Sequence, residues 1–388
     1  MRIVIAGGGR FFLFKEASFF QATNKLTLFI SNFPKRIICK DNISSNKIRN
    51  LPVNGYLMYL LHKFLPKHIF PFLFSYITQL LHQRFGLFIK KNVVDADIYL
   101  ILSSFALESI HEIRKKSNAL IIIEHASFHQ QEDRDLVILD AIYWNVKPSS
   151  DLSPKWVIEK ENQEFALADY VLVPSKAVKK SLIKHGVLEH KILTNAYGVD
   201  LVEFYPYNVA KNKFRVIQVG QISQRKGIFT TIKAFINANV TNSELVFIGS
   251  LDVDIREIKK FAGHRFKDIY FKKAINQNKL IYEYGVSSVM VMSSVSDGFG
   301  LVVPQALACG VPVLVSENVG SSEFIIDGYN GFTFKIRDVD TLSNLLIRFS
   351  ENRNMLYSMS LNAHNSAKNN LKWSDYYTRL NDLLINLI

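Results

Sequence analysis

Phe214-Arg215-Val216-Ile217-Gln218-Val219-Gly220-Gln221-Ile222-Ser223-Gln224-Arg225-Lys226-Gly227 is a short apolar run that ends at a glycine and opens into a basic loop. The chain starts in the same way, with Arg2-Ile3-Val4-Ile5-Ala6 running into Gly7, Gly8 and Gly9. A strand covered on both faces loses the alternation of a half-buried one, so each run reads as the first strand of a parallel α/β sheet. Working outward, further buried strands are predicted at 26–30, 98–102, 120–123 and 170–173 in the first half. In the second half they fall at 245–248, 269–271, 289–292 and 311–315. Helical spacing separates them, as at 228–237 and 302–308. Strand and helix alternating in both halves predicts two doubly wound domains, joined by a polar linker at 204–213 that contains Pro206. Ligands of such sheets sit beyond the carboxyl ends of the strands. Two facing domains therefore put a cleft between the glycines at 7–9 and the loop at 220–227.

The bulk composition agrees with two domains. At 388 residues the chain exceeds one compact core, and 48% apolar with 21% charged residues describes a globular protein. Two cysteines, Cys39 and Cys309, leave no disulfide framework or thiolate metal site, as suits a reducing compartment. The start lacks a hydrophobic leader core, so a cytoplasmic location is expected.

The net charge of +13 is concentrated at one end. Residues 1–100 hold 14 Lys/Arg against four acids, Glu16, Asp41, Asp95 and Asp97. A basic face of this kind suits nucleic acid, an anionic membrane or a phosphorylated substrate. The same region contains 56–91, crowded with Leu, Phe, Tyr, Lys and His. Its longest uncharged run, 69–82, is broken by Pro71 and too short to span a bilayer. It reads either as core helices of the first domain or as an element lying on a membrane surface. No recognisable nucleic-acid module accompanies the charge, and nucleic acid is not expected as a partner.

The sharpest local signal is Asp297-Gly298-Phe299-Gly300-Leu301-Val302-Val303-Pro304-Gln305, followed by Gly310-Val311-Pro312-Val313. It is a strand end, a glycine-bracketed loop and a helix start. Glycines let a ligand approach the backbone, free amides attract an anion, and Pro304 is tolerated in the first helical turn. Gln305, one turn on, should share a pocket with Asp297. The loop at 220–227, with adjacent Arg225 and Lys226, could hold a pyrophosphate. By spacing alone, each is equally a tight turn or a solvated basic loop.

Taken in order, these pieces resemble glycosyltransferase family 4, retaining enzymes of the GT-B architecture. The resemblance rests on 220–227, on the block from Asp297 to Val313, and on Asp327-Gly328-Tyr329-Asn330-Gly331-Phe332. It extends to Ala168-Asp169-Tyr170 with Pro174-Ser175, and to Tyr197-Gly198-Val199-Asp200 with Phe204. It covers about two-thirds of the chain, with 32–92 outside. It implies an α/β GT-B fold, two Rossmann-like doubly wound domains facing a central cleft. Residues 1–205 would form the acceptor side and 206–365 the donor side, with 366–388 a helix crossing back. It further implies hexosyl transfer with retention from a nucleotide-diphosphate sugar to a glycan or lipid-linked glycan. The setting would be cell-surface polysaccharide synthesis, at or near the cytoplasmic membrane face, with an anionic membrane surface as a candidate partner.

Carried over by position, Lys226 with Arg225 would neutralise the leaving diphosphate, and Asp297 would hydrogen-bond the donor sugar. The amides of Gly298, Phe299, Gly300 and Leu301 would contact sugar and phosphate, and Gln305 would hold the ribose. Gly8 and Gly9 would lie against the diphosphate. His125, with His129 as its rival, would sit near the reacting carbon. The chain departs from the family where Asp297 and Gln305 stand for two glutamates and Gln221 for a cation. Asp is shorter than Glu by about 1.5 Å, and a Gln contact to ribose loses roughly 1 kcal/mol of charge assistance. No metal or cofactor is implied, because basic residues would do the neutralising. The triplets Asp95/Asp97, Asp252/Asp254 and Asp338/Asp340 could suggest a metal-dependent transferase, but the two glycine-ended strand starts indicate the double-domain plan instead. A dinucleotide oxidoreductase is disfavoured: the first glycine loop lacks the third fingerprint glycine, and no acid follows 26–30. A non-catalytic sugar-nucleotide-binding partner of an assembly complex is the other reading.

Overall fold

The computed structural model describes residues 1–9, 12–65, 69–149, 152–207 and 209–388. Arg10 and Phe11 of the first glycine loop, and Asn208 of the linker, lie outside the described residues.

The first sheet takes its strands in chain order from β1 (Ile3–Gly7), β2 (Leu26–Ser31), β3 (Ile48–Asn50), β4 (Ile98–Leu102), β5 (Leu120–Glu124), β6 (Tyr170–Val173) and β7 (Ile192–Thr194). They lie in the order β3-β2-β1-β4-β5-β6-β7, all parallel. The second sheet holds β8 (Phe214–Val219), β9 (Ser243–Ile248), β10 (Ile269–Lys272), β11 (Val289–Met292), β12 (Val313–Ser316) and β13 (Gly331–Phe334). Its order, β10-β9-β8-β11-β12-β13, is also parallel throughout. Each glycine-ended strand, β1 and β8, is central, and the chain winds outward from it in both directions. The switch point beside each is where ligands of such sheets bind.

Two differences from the sequence reading have simple causes. The edge strands β3 and β7 have three residues each, too few for a periodic signal. Strand β12 begins at Val313 and not at 311, because Pro312 has no N–H to donate. Its carbonyl still accepts from Met290 N at 3.0 Å.

Apolar packing is continuous from one domain to the other. One cluster runs from Ile5 and Phe29 through Tyr197 and Phe204 to Met290, Val313 and Leu380. At its centre the Tyr197 ring lies 4.8 Å from Phe12, 5.4 Å from Phe299 and 5.6 Å from Tyr376. The chain end enters here. Helix Arg353–Asn370 stays with the second domain, and the backbone breaks at Leu371 and Lys372, beyond residue 366. Helix Trp373–Ile385 then lies on the first domain, with Asn195 Nδ2 donating to Tyr376 O at 3.1 Å and Arg379 Nη2 to Ala196 O at 2.7 Å. Gly198 permits the crossing, since a Cβ there would stand 2.4 Å from Trp373 N.

The crossing helix also closes over two buried acids. The Tyr376 hydroxyl donates to Glu16 Oε1, and Glu124 faces the same pair. Burial pushes the Glu16 carboxyl from 4.5 up to about 7, against the hydrogen bond from Tyr376 that pulls it down. Burial, then the Glu16 charge, raises Glu124 as well. Between pH 4.5 and 7 the folded chain holds a proton that the unfolded chain releases, so this contribution to stability falls as pH rises through that window. Glu16→Gln keeps the acceptor for Tyr376 and removes the Glu16 titration. Its stability relative to the parent should improve between pH 5 and 8 by on the order of 2 kcal/mol. Urea unfolding at each pH measures this, and a pH-independent difference would count against the shared proton.

Candidate active site

The carboxyl ends of β8 and β11 build one wall of the cleft. Gly227 has φ +67°, and a Cβ there would fall 1.9 Å from Ser293 O, so only glycine lets the loop after β8 press on the end of β11. Side-chain bonds hold it there. Ser293 Oγ donates to Gly227 O at 2.7 Å and Gln218 Nε2 to Lys226 O at 2.7 Å, with Thr231 Oγ1 donating to Gln218 at 2.7 Å. The consequence is that Arg225 and Lys226 turn onto a loop 71 residues further along. Arg225 Nη1 donates to Ser296 O at 3.3 Å, and Lys226 Nζ forms an ion pair with Asp297.

This ion pair is largely buried. Burial lowers the Lys226 ammonium below its ordinary value, with Asp297 opposing. Burial pushes the Asp297 carboxyl up, but the charges of Lys226 and Arg225 outweigh it and hold Asp297 below the usual range. The loop beyond is braced from below. Asp297 N donates to Asn318 O at 3.0 Å, Gly320 N to Asp297 O at 2.9 Å, and Phe299 N to Asp297 Oδ1 at 3.3 Å. Among the described residues, the amides of Gly298, Gly300 and Leu301 have no hydrogen-bond acceptor. The outcome is two cations bonded to the start of a glycine loop that also carries unbonded amides, residue types that suit a polyanion.

The first domain supplies the opposite wall. Ser175 Oγ donates to Gly298 O at 2.8 Å, and a Cβ on Gly298 would lie 1.8 Å from Ala126 O. Helix Gln130–Trp144 runs along the basic loop, and the Ser296 hydroxyl donates to Asp133. Burial raises the Asp133 carboxyl, while the Arg225 charge and the Ser296 hydrogen bond pull it down. Farther along, Arg337 Nε donates to Asp140 at 3.1 Å, and Trp144 packs 5.5 Å from Phe261. The domains are closed upon one another. Asp133 was not among the sequence candidates, since an acid early in a helix is equally a favourable first-turn charge.

The two histidines separate clearly. His129 caps helix Gln130–Trp144, its Nδ1 accepting from Gln131 N at 3.2 Å, while Nε2 lies 2.7 Å from Asn162 Oδ1 and the ring stacks on His185 at 4.2 Å. Its nitrogens serve structure. His125 Nε2 lies 3.3 Å from Phe128 O, which can only accept, and Nδ1 lies 3.1 Å from Ser103 Oγ. Burial lowers His125 to about 4, so the ring is neutral near pH 7. The imidazole is almost wholly enclosed, and its link to the cleft is through the next residue, Ala126, against Gly298.

Other candidates are placed less directly. A Cβ on Gly8 would stand 2.6 Å from the Phe105 ring, so Gly8 is packed within its own domain, whereas Gly9 is open. Gln221 has no side-chain hydrogen bond among the described residues. Gln305 lines an inter-domain cavity of about 220 Å³ with Phe12, Lys15, Asp200, Leu301 and Trp373, and Asp297 is closed against Lys226. Five of the six acids in the triplets have structural uses. Asp95 and Asp97 hold Arg2, Asp252 accepts from Ser149 and Asp254 caps helix Ile255–Ala262, and Asp338 caps helix Val339–Glu351.

Residues 203–366 match the family model described as glycosyl transferases group 1, which contains the whole basic and glycine-loop wall. An uncharacterized glycosyltransferase of Methanocaldococcus jannaschii is 27% identical over 57% of this chain and 60% of its own. The UDP-Gal:alpha-D-GlcNAc-diphosphoundecaprenol alpha-1,3-galactosyltransferase of Escherichia coli is 24% identical over 60% of this chain and 59% of its own. The chain thus spans about 60% of the length of these curated relatives. The structure of Anabaena HepE in complex with UDP-glucose superposes with a TM-score of 0.67 over 100% of both chains, at 14% identity. The fold is therefore GT-B, with two Rossmann-like domains about a central cleft.

Proposed function

We propose that the protein is a glycosyltransferase that moves a hexosyl unit, with retention, from a nucleotide-diphosphate sugar to a glycan or lipid-linked glycan. One observation carries this reading: the basic loop after β8 meets the glycine loop after β11 in the cleft wall, with Lys226 paired to Asp297 and Arg225 bonded to Ser296 O. The matched family segment and the UDP-glucose bound to a protein of the same fold support a nucleotide-sugar donor. The galactosyltransferase relative, named for a diphosphoundecaprenol acceptor, supports a lipid-linked acceptor in cell-surface polysaccharide synthesis at the cytoplasmic membrane face.

In this mechanism the diphosphate replaces Asp297 as the partner of Lys226, and Arg225 and the amides take the charge that develops as the sugar–phosphate bond breaks. Freed from Lys226, Asp297 accepts from a donor-sugar hydroxyl, and Gln305 holds the ribose. The acceptor hydroxyl attacks from the face that the diphosphate leaves, through an oxocarbenium-like state, and its proton passes to the departing phosphate oxygen. His125 stays neutral and positions the strip that ends at Ala126. The neutralising charge comes from side chains, and no metal is assigned a step.

A thermal-shift panel of UDP-, GDP-, ADP- and CMP-sugars tests the donor site. Ligand at 100 times its Kd stabilises a protein by about 2.7 kcal/mol, enough to raise the midpoint by several degrees. One base series should stand out, and a flat panel would remove the donor assignment. The alternative of a non-catalytic sugar-nucleotide-binding partner is favoured by the changes at two acidic family positions, Asp297 and Gln305. Binding without turnover of the best donor would decide for it.

A further inference from the structure

Helices Pro52–Phe64 and Pro71–Lys91 cover one side of the first domain. Their inner stripe is ordinary core: Phe74, Leu81, Phe85 and Ile89 are buried, at helical spacing. The outer stripe is the anomaly. On the longer helix Phe72 is 89% exposed, and Tyr76, Leu80 and Leu87 follow it on the outer side; on the shorter one Tyr56, Tyr59 and Phe64 are exposed too. Soluble surfaces scatter such residues singly, and a contiguous set rimmed by charge marks an interaction face.

The charge is of one sign. From Asn42 to Val94 the sequence has seven Lys/Arg and no Asp or Glu. Lys63 Nζ lies 5.6 Å from the Tyr59 ring centre and 5.1 Å from that of Phe64, so a cation stands within the aromatic group. Arg84 falls between Leu80 and Leu87 on the outer face, and Lys90 and Lys91 end the helix. Among the described residues, none of Lys63, Arg84, Lys90 and Lys91 forms an ion pair. No described helix is long and apolar enough to cross a membrane.

We propose that this face docks the protein onto an anionic lipid bilayer, with the aromatic and leucine side chains in the headgroup region and the cations against lipid phosphates. Aromatic residues with polar edges, aliphatics and unpaired cations on one helical face are what an interfacial site requires. A second copy is a poor occupant, because two faces with cations and no acids repel. Nucleic acid is equally poor, because apolar side chains outnumber cations on the outer stripe.

The face also has a defined place relative to the cleft. Gly55 lies against Asn32 O at the end of β2, where a Cβ would stand 2.5 Å away. His82 stacks at 4.4 Å on Phe105, the ring that Gly8 packs against. The helices are therefore rooted at the carboxyl ends of β1, β2 and β4, beside the cleft. Resting on the proposed function, a lipid-linked acceptor could keep its tail in the bilayer and reach the donor with its head. The docking itself does not depend on that reading.

Flotation with vesicles of phosphatidylcholine, alone or mixed with phosphatidylglycerol, is the test. The full chain should float with the mixed vesicles at low salt and much less at high salt, where the screening length falls from about 10 Å to about 3 Å. Phe72→Ser with Tyr76→Ser, both exposed and free of core contacts, should weaken binding at least about tenfold. Lys63→Gln and Arg84→Gln should each cost about fivefold on mixed vesicles and leave binding to phosphatidylcholine unchanged. Donor-induced thermal shifts should persist in every variant, which separates failure here from failure of the donor site. Three results would overturn the proposal: no flotation with mixed vesicles, flotation insensitive to all four substitutions, or a dimer in sedimentation velocity that Phe72→Ser with Tyr76→Ser dissolves.

Discussion

Lys226→Ala should lower turnover of the cognate donor by about 10²- to 10³-fold, the usual loss when a preorganised group at the developing charge is removed. The same substitution has a second expected effect, because Lys226 has two partners in sequence. Before donor binds, its ammonium neutralises Asp297, and burial alone would push that carboxyl up. Removing one member of a buried ion pair leaves the other uncompensated, at a cost of about 3–5 kcal/mol. Urea unfolding should register that loss, moderated by the nearby Arg225 charge. Adding Asp297→Asn to Lys226→Ala should recover most of the stability and none of the turnover. Recovered stability would trace the folding loss to the uncompensated Asp297 carboxylate. If the double variant regained activity with its stability, or if Lys226→Ala alone kept turnover within about threefold of the parent, Lys226 would have no part in the chemistry.

Gly298→Ala should be the most damaging single methyl group in the cleft. The added Cβ would stand 1.8 Å from Ala126 O and 2.9 Å from Ser127 Cα, both backbone positions of the opposite domain, so no side chain can rotate away. Each domain can fold around the change, because the clash lies between them. The cost then falls on closure, and the bond from Ser175 Oγ to Gly298 O should be lost with it. A displacement of about 1 Å at a reacting centre can cost 10²-fold in rate, and a loss of that size or more is expected here. Small-angle scattering with donor present should report a larger radius of gyration than for the parent, while the unfolding midpoint moves little. Unchanged scattering together with unchanged turnover would show that the chemistry does not need this contact. Gly320, whose Cβ would fall 2.0 Å from Gly298 O, supports the same loop from within its own domain.

Much of the frame is readable because it rests on short-range rules. Strands such as Ile98–Leu102 and Val289–Met292 are continuous apolar runs, and covered parallel sheets demand that pattern. The glycine ends of β1 and β8 announce the two sheet centres. Short edge strands stay silent because three residues have no period. The outer stripe of helix Pro71–Lys91 misleads in the opposite direction, since a residue such as Phe72 looks like core until its neighbours are placed.

What the sequence determined by itself, then, is the α/β class, the two sheet centres, and the loops holding Arg225, Lys226 and the 297–301 segment. Local periodicity and glycine positions suffice for these. Tertiary structure decided how they combine. Lys226 meets Asp297 across 71 residues because β11 inserts beside β8, and that strand order is set by the burial of whole sheets. Tertiary structure likewise brought Asp133 against Ser296, used His129 as a helix cap, and set Gln305 in an inter-domain cavity with Phe12 and Trp373. The physical reason is the same in each case. A side chain's type is local information, but its partner depends on which surfaces the domains bury against each other.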